Sequence, residues 1–99
     1  MKQYELTFLI PASYTKSEME EILAGVEELV EKNDGKVAQK EEWGKKELAY
    51  TIKKEGKAFD EAEYYHWLLE LDPASVKPLN QALNLNEIII RYLIVALEE

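Results

Sequence analysis

Apolar and polar residues alternate from Lys2 to Ile10, with Tyr4, Leu6, Phe8 and Ile10 on one side and Gln3, Glu5, Thr7 and Leu9 on the other. Period two marks a β-strand with one buried face, and Pro11 ends it. The period then becomes helical. Met19, Ile22, Leu23, Val26, Leu29 and Val30 recur three and four residues apart, while Glu20, Glu21, Glu27, Glu28 and Glu31 fill the outer face. Thr15 is placed to cap this helix: Glu18 completes a capping box and Tyr14 staples onto Met19. Asn33, Asp34 and Gly35 stop it, with Gly35 suited to the left-handed position beyond the last turn.

Alternation returns between Lys36 and Ile52, weakly at first and then with Leu48, Tyr50 and Ile52 on one face. Gly44 interrupts the run, so the spacing predicts one long strand with a bulge or bend. Lys53 to Glu61 is polar, carries Gly56 and is expected to be a mobile loop. From Glu63 to Leu71 the odd positions Tyr65, Trp67, Leu69 and Leu71 are apolar, opposed by Tyr64, His66, Leu68 and Glu70, which predicts a strand with one buried side. Asp72 and Pro73 break it. A short helix starts near Ser75, because Pro78 is tolerated only in a first turn, and turns Leu79, Ala82 and Leu83 inward. Glu87 to Leu97 reads as a last strand, with Ile90, Tyr92 and Ile94 on one face and Ile89, Arg91, Leu93 and Val95 on the other; apolar residues on both faces suggest an inner or partly covered position.

Strand, helix, strand, strand, helix, strand without internal repeat makes two right-handed split βαβ units. The expected fold class is α+β: a ferredoxin-like βαββαβ sandwich, with a four-stranded antiparallel sheet and two helices on one face. Residues 1–99 are expected to form a single domain, since two would be too small to stabilise themselves. The other sheet face lacks a helical cover, and in this topology that face is a place for a partner.

Composition removes several chemistries. With no cysteine there is no disulfide, thiolate zinc site or cysteine nucleophile, and a reducing cytoplasm fits. Met1 to Ile10 shows no long apolar leader core, and Arg91 interrupts the apolar run near the C-terminus, so neither export nor a membrane span is expected. Twelve basic and 20 acidic residues give a net charge of −8, which argues against unaided binding to nucleic acid. A local basic strip still suffices where a more basic partner neutralises most phosphates.

The single histidine, His66, has no partner in the sequence for acid–base work and reads as a strand residue; no catalytic residue, metal site or cofactor is expected. The carboxylates of the first helix read as a solvated face. The four glycines are scattered, so there is no phosphate-cradling motif, and Pro11, Ala12 and Ser13 supply no anion cradle for a small phosphatase of this topology. Tyr65 and Trp67 point with Leu69 to the core, whereas Tyr64 is the better candidate for an exposed contact; the glycine-containing aromatic signature of RNA-recognition domains is missing from that strand.

Three segments are more specific: Met1-Lys2-Gln3-Tyr4-Glu5, then Glu42-Trp43-Gly44-Lys45-Lys46-Glu47-Leu48-Ala49-Tyr50, then Leu85-Asn86-Glu87 leading into Ile90-Arg91-Tyr92-Leu93-Ile94-Val95. Together they resemble the bacterial small-subunit ribosomal protein six family over nearly the whole chain. The resemblance implies a non-enzymatic, RNA-associated constituent of the cytoplasmic ribosome. It implies pairing with ribosomal protein eighteen of the small subunit, joint binding to small-subunit rRNA, and no membrane or small-molecule substrate. Carried over by position, it implies that Lys2, Tyr4, Lys45, Lys46, Tyr50 and Arg91 lie near partner or RNA surfaces, to which Tyr64 is added.

Plainer roles stand beside these. Tyr4 shares a face with Leu6 and Phe8, Lys45 and Lys46 also suit the protection of a sheet edge, and Arg91 also suits a cross-strand pair with Glu5 or Glu70. The chain departs from the family with Thr51 in place of a proline, Glu47 in place of a third basic residue and Ala96 in place of a cation. These changes shift the expected weight from phosphate contacts to protein contacts. The competing reading is a ferredoxin-like regulatory or metabolite-binding domain that dimerises through its open sheet.

Overall fold

The computed structural model describes residues 2–54 and 56–97; Met1 of the first motif and Glu55 of the expected loop lie outside them. The elements are β1 (Lys2–Pro11), α1 (Lys16–Lys32), β2 (Lys36–Lys54), β3 (Lys57–Leu71), a short 3-10 turn (Pro73–Ser75), α2 (Val76–Leu85) and β4 (Arg91–Ala96). They form one antiparallel sheet in the order β2-β3-β1-β4. This is the βαββαβ arrangement read from the sequence.

One sheet face carries the core. Tyr4, Leu6, Phe8 and Ile10 of β1 and Tyr65, Trp67, Leu69 and Leu71 of β3 are buried with Val26 and Val30 of α1 and Leu79 and Leu83 of α2. Phe8 stacks on Tyr65 at 5.3 Å between ring centroids and meets Trp67 edge-on at 5.0 Å, geometries that add to the area they bury. The capping box forms: the Glu18 amide donates to Thr15 Oγ1 at 3.2 Å and the Thr15 amide to Glu18 Oε1 at 2.9 Å. Tyr14 and Met19 both pack on the core.

Four expectations change. At the end of α1 the left-handed residue is Asp34, at φ 62, not Gly35. The Asp34 and Gly35 amides donate back to the Glu31 and Val30 carbonyls at 3.1 and 2.9 Å, a Schellman closure. Gly35 is needed for space, because a Cβ there would collide with Leu71 Cδ2 and lie 2.8 Å from Val30 Cγ1. The expected loop from Lys53 to Glu61 is instead the tip of a long hairpin: Ile52 faces Phe59, Lys54 faces Lys57, and Gly56 between the last pair has φ 75. A hairpin that takes φ > 0 from glycine needs no long loop, and the lysines around Gly56 interrupt the alternation that Ile52 and Phe59 would otherwise show.

The last strand begins at Arg91 and lies at the sheet edge, not inside it. Residues 87–90 form an Asn86-capped bend in which Asn86 Oδ1 accepts from the Ile88 and Ile89 amides at 2.8 and 3.2 Å. Finally, the far half of the hairpin curls over one end of the bare face. There Ile52, Ala62 and Ile90 form a second small core with Leu9, Leu48, Phe59 and Tyr64, and Lys54 Nζ donates to the Asn86 and Ile89 carbonyls.

Two outcomes follow from this packing. Gly35→Ala should cost about 1–3 kcal/mol, the range for overpacking a filled site. Gly25→Ala, where an added Cβ meets nothing within 4 Å on the exposed side of α1, should be stabilising by up to about 1 kcal/mol; denaturant midpoints compare the two, and a neutral Gly35→Ala would contradict the packing. Burial, with the charges of Glu42 and Glu63 adding to it, pushes the Tyr65 phenol up to about 12. A raised phenol favours the folded state below its unfolded value near 10 and loses that contribution as pH climbs toward 12. Stability should therefore fall more steeply over that window in the wild type than in Tyr65→Phe, and equal slopes would contradict it.

Candidate nucleic-acid and partner interface

The bare face can be laid out row by row from the register, because paired residues on neighbouring strands point the same way. Gly44, Tyr64, Leu9 and Arg91 form one row; Glu41, His66, Thr7 and Leu93 the next; Gln39, Leu68, Glu5 and Val95 the third. Beyond them Lys36 and Gln3 flank Glu70. Leu93 and Val95 are 62% and 43% exposed.

What decides the occupancy of the first row is a slip in β2. Glu42 pairs with Tyr65, but Gly44, two residues on, pairs with Tyr64. Trp43 is the extra residue, and Gly44 takes φ 85 to absorb it, which an L side chain rarely adopts. Regular alternation would send Trp43 and Lys46 to opposite faces; the bulge brings them to the same one. Trp43, 46% exposed, stacks on His66 at 4.8 Å between centroids and 12° between planes. Its indole nitrogen donates to Glu41 Oε2 at 3.1 Å. Lys46 Nζ lies 5.7 Å from the Trp43 ring centre and 5.5 Å from that of Tyr64, within cation–π range. His66 is in turn held by Thr7, whose Oγ1 is 3.0 Å from Nδ1, and faces Glu5 at 3.8 Å from Nε2.

Of the seven residues singled out in the sequence, three converge here. Lys46 lies over Tyr64, and Arg91 stands across Leu9 from Tyr64, about 10 Å away at two strand spacings. The Arg91 guanidinium donates to the Ile90 carbonyl at 2.9 Å, and among the described residues it makes no ion pair with Glu5 or Glu70. Tyr64 is half-buried and also supports the second core, so it is less open than expected.

The other four lie elsewhere. Lys45 falls in register with Glu63 on the helix side and pairs with Glu61 at 2.9 Å; the hydrogen bond and charge of Glu61, with Glu63 adding, hold its ammonium above the ordinary lysine value. Tyr50 is 76% exposed on an excursion of β2 between Glu47 and Ile52, where register is lost, and Thr51 ties that excursion to Asp60 at 2.6 Å. Lys2 opens β1 at the opposite end from Arg91, about 24 Å along the strand. Tyr4 is a correction: it is 6% exposed in the helix-facing core, so its ring packs Leu69 and its neighbours and offers no surface to a partner. Trp43, by contrast, is not among the seven residues that the sequence singles out, although the adjacent Gly44 signals the bulge that brings Lys46 to its face.

Comparison with known proteins agrees with this architecture. The model of the family described as ribosomal protein S6 matches residues 3–96. Small ribosomal subunit protein bS6 of Geotalea daltonii is 34% identical over 99 residues, spanning all of this chain and 74% of that protein. The Dehalococcoides mccartyi protein of the same name is 27% identical, spanning all of this chain and 87% of its own length. The crystal structure of 30S ribosomal protein S6 from Thermotoga maritima superposes with a TM-score of 0.84 at 26% identity, over 97% of this chain and 87% of that one. These relatives are ribosomal proteins, and the expectation that the chain is no enzyme agrees with them. The chain belongs to the ribosomal protein S6 family of the small ribosomal subunit.

Proposed function

We propose that this protein works as a structural constituent of the cytoplasmic ribosome, docking its bare sheet face onto small-subunit rRNA jointly with ribosomal protein eighteen of the small subunit. The observation that carries this reading is the polarity of that face. Lys46 and Arg91 flank Tyr64 and Leu9 at one end, whereas Glu5, Glu41 and Glu70 outnumber Lys36 toward the other, where exposed Leu93 and Val95 on β4 share the rows of Glu41 and Glu5. The cationic end suits phosphates. The acidic end and the apolar strip suit a cationic protein, which then supplies the charge that a chain of net −8 lacks.

The protein should co-sediment with small subunits and be released when magnesium is lowered. A free pool that self-associates through the open sheet would support the regulatory-domain reading instead. Replacing Lys45, Lys46 and Arg91 together by alanine should reduce joint rRNA binding by about tenfold or more, yet change stability by no more than about 0.5 kcal/mol per site, because all three are exposed. Lys45→Ala alone should matter least, since Glu61 already engages it.

With Lys46 and Arg91 the principal phosphate ligands of this chain, replacing both should lower the dependence of log affinity on log salt by about 2. Unchanged incorporation of a folded triple variant would reject these residues as contacts.

A further inference from the structure

We propose that Trp43, backed by His66 and flanked by Lys46, is a stacking platform for one unpaired base of an RNA single strand. The inference rests on the rRNA-docking reading and adds to it a residue and a ligand class. An aromatic ring that binds a base needs a free face, a fixed orientation and a cation close enough to meet the phosphate that the base brings with it. Trp43 has the fixed orientation and the cation, and the opening over its ring is shared with Lys46, whose Nζ lies 5.7 Å from the ring centre. Nearly half of its surface is open, and its ring is fixed twice, by the parallel stack on His66 and by the indole hydrogen bond to Glu41. The His66 ring beneath is itself held by Thr7, so little side-chain freedom is left to lose on binding. Lys46 supplies the cation, poised between Trp43 and Tyr64.

The surroundings favour a nucleotide over a protein side chain. A protein hot spot places its aromatic inside an apolar patch. The exposed apolar residues of this face, Leu93 and Val95, sit on β4, two strands away from His66 and beyond β1. Glu41, Glu42, Lys45 and Lys46 are the exposed neighbours of Trp43 along β2. A charged setting weakens hydrophobic docking but leaves base stacking intact, because stacking needs only the π-face.

The test measures affinity of the complex with ribosomal protein eighteen for a small-subunit rRNA fragment, using wild type, Trp43→Phe and Trp43→Ala. Trp43→Ala should weaken RNA binding by about 5- to 150-fold, the span measured for removing one stacked base. Trp43→Phe, which keeps a ring, should stay within a few-fold of wild type. Removing the base of the nucleotide that photocrosslinks to Trp43 should abolish the difference between wild type and Trp43→Ala.

Equal affinity of wild type and a folded Trp43→Ala would overturn the platform while leaving the docking reading intact. Weakened binding of Trp43→Ala to ribosomal protein eighteen without RNA would overturn it in favour of a protein contact. Failure of the wild-type complex to bind the fragment would instead sink the docking reading itself.

Discussion

Side chains alternate along a strand, so one extra residue reverses every face assignment beyond it. The slip at Trp43 in β2 is the constraint from which the bare face takes its character. Without it, Lys45 and Lys46 would exchange faces, and Lys46 would leave the position from which it lies over both the Trp43 and Tyr64 rings. Gly44 makes the slip possible by adopting φ 85. The two helices set the other boundary. They cover only one side of the sheet, and the curled hairpin closes just one end of the opposite side, where Lys54 fastens it to the bend before β4.

Much of this was legible in the sequence wherever one period ran uninterrupted. β1, α1 and β3 each bury one regular face, and Pro78 located the first turn of α2. What escaped reading lay where the period breaks. β2 changes register three times, so its alternation is not continuous and the faces of Trp43 and Lys46 cannot be counted along it. The tip of the hairpin is polar because one inward position is filled by Lys54, which bonds to backbone carbonyls instead of packing as an apolar residue, and this makes a strand look like a loop. β4 is apolar on both faces for a reason other than burial: Tyr92 and Ile94 pack on the core, while Leu93 and Val95 are left on the surface. Tyr4 shows the limit of positional transfer within a family, since the alternation with Leu6 and Phe8 already pointed inward.

The charge balance also gains meaning once it is placed in space. The carboxylates of α1 lie on the far side of the molecule from the bare face and bear on solubility more than on docking. On the bare face itself acid and base are segregated, so a net charge of −8 does not oppose a small local contact with phosphate. In the proposed docking a second, more basic macromolecule supplies the remaining charge, and this is the sense in which that proposal is one of joint assembly rather than solitary recognition.

The claim that the bare face is the docking face is tested most directly by covalent side-chain labelling of the protein, free and bound in small subunits. The account predicts that Trp43, Tyr64, Leu93 and Val95 lose reactivity on assembly while exposed Leu85 on α2 and the outer side of α1 keep theirs. Loss of reactivity on the helices, with the bare face still open to the reagent, would contradict it.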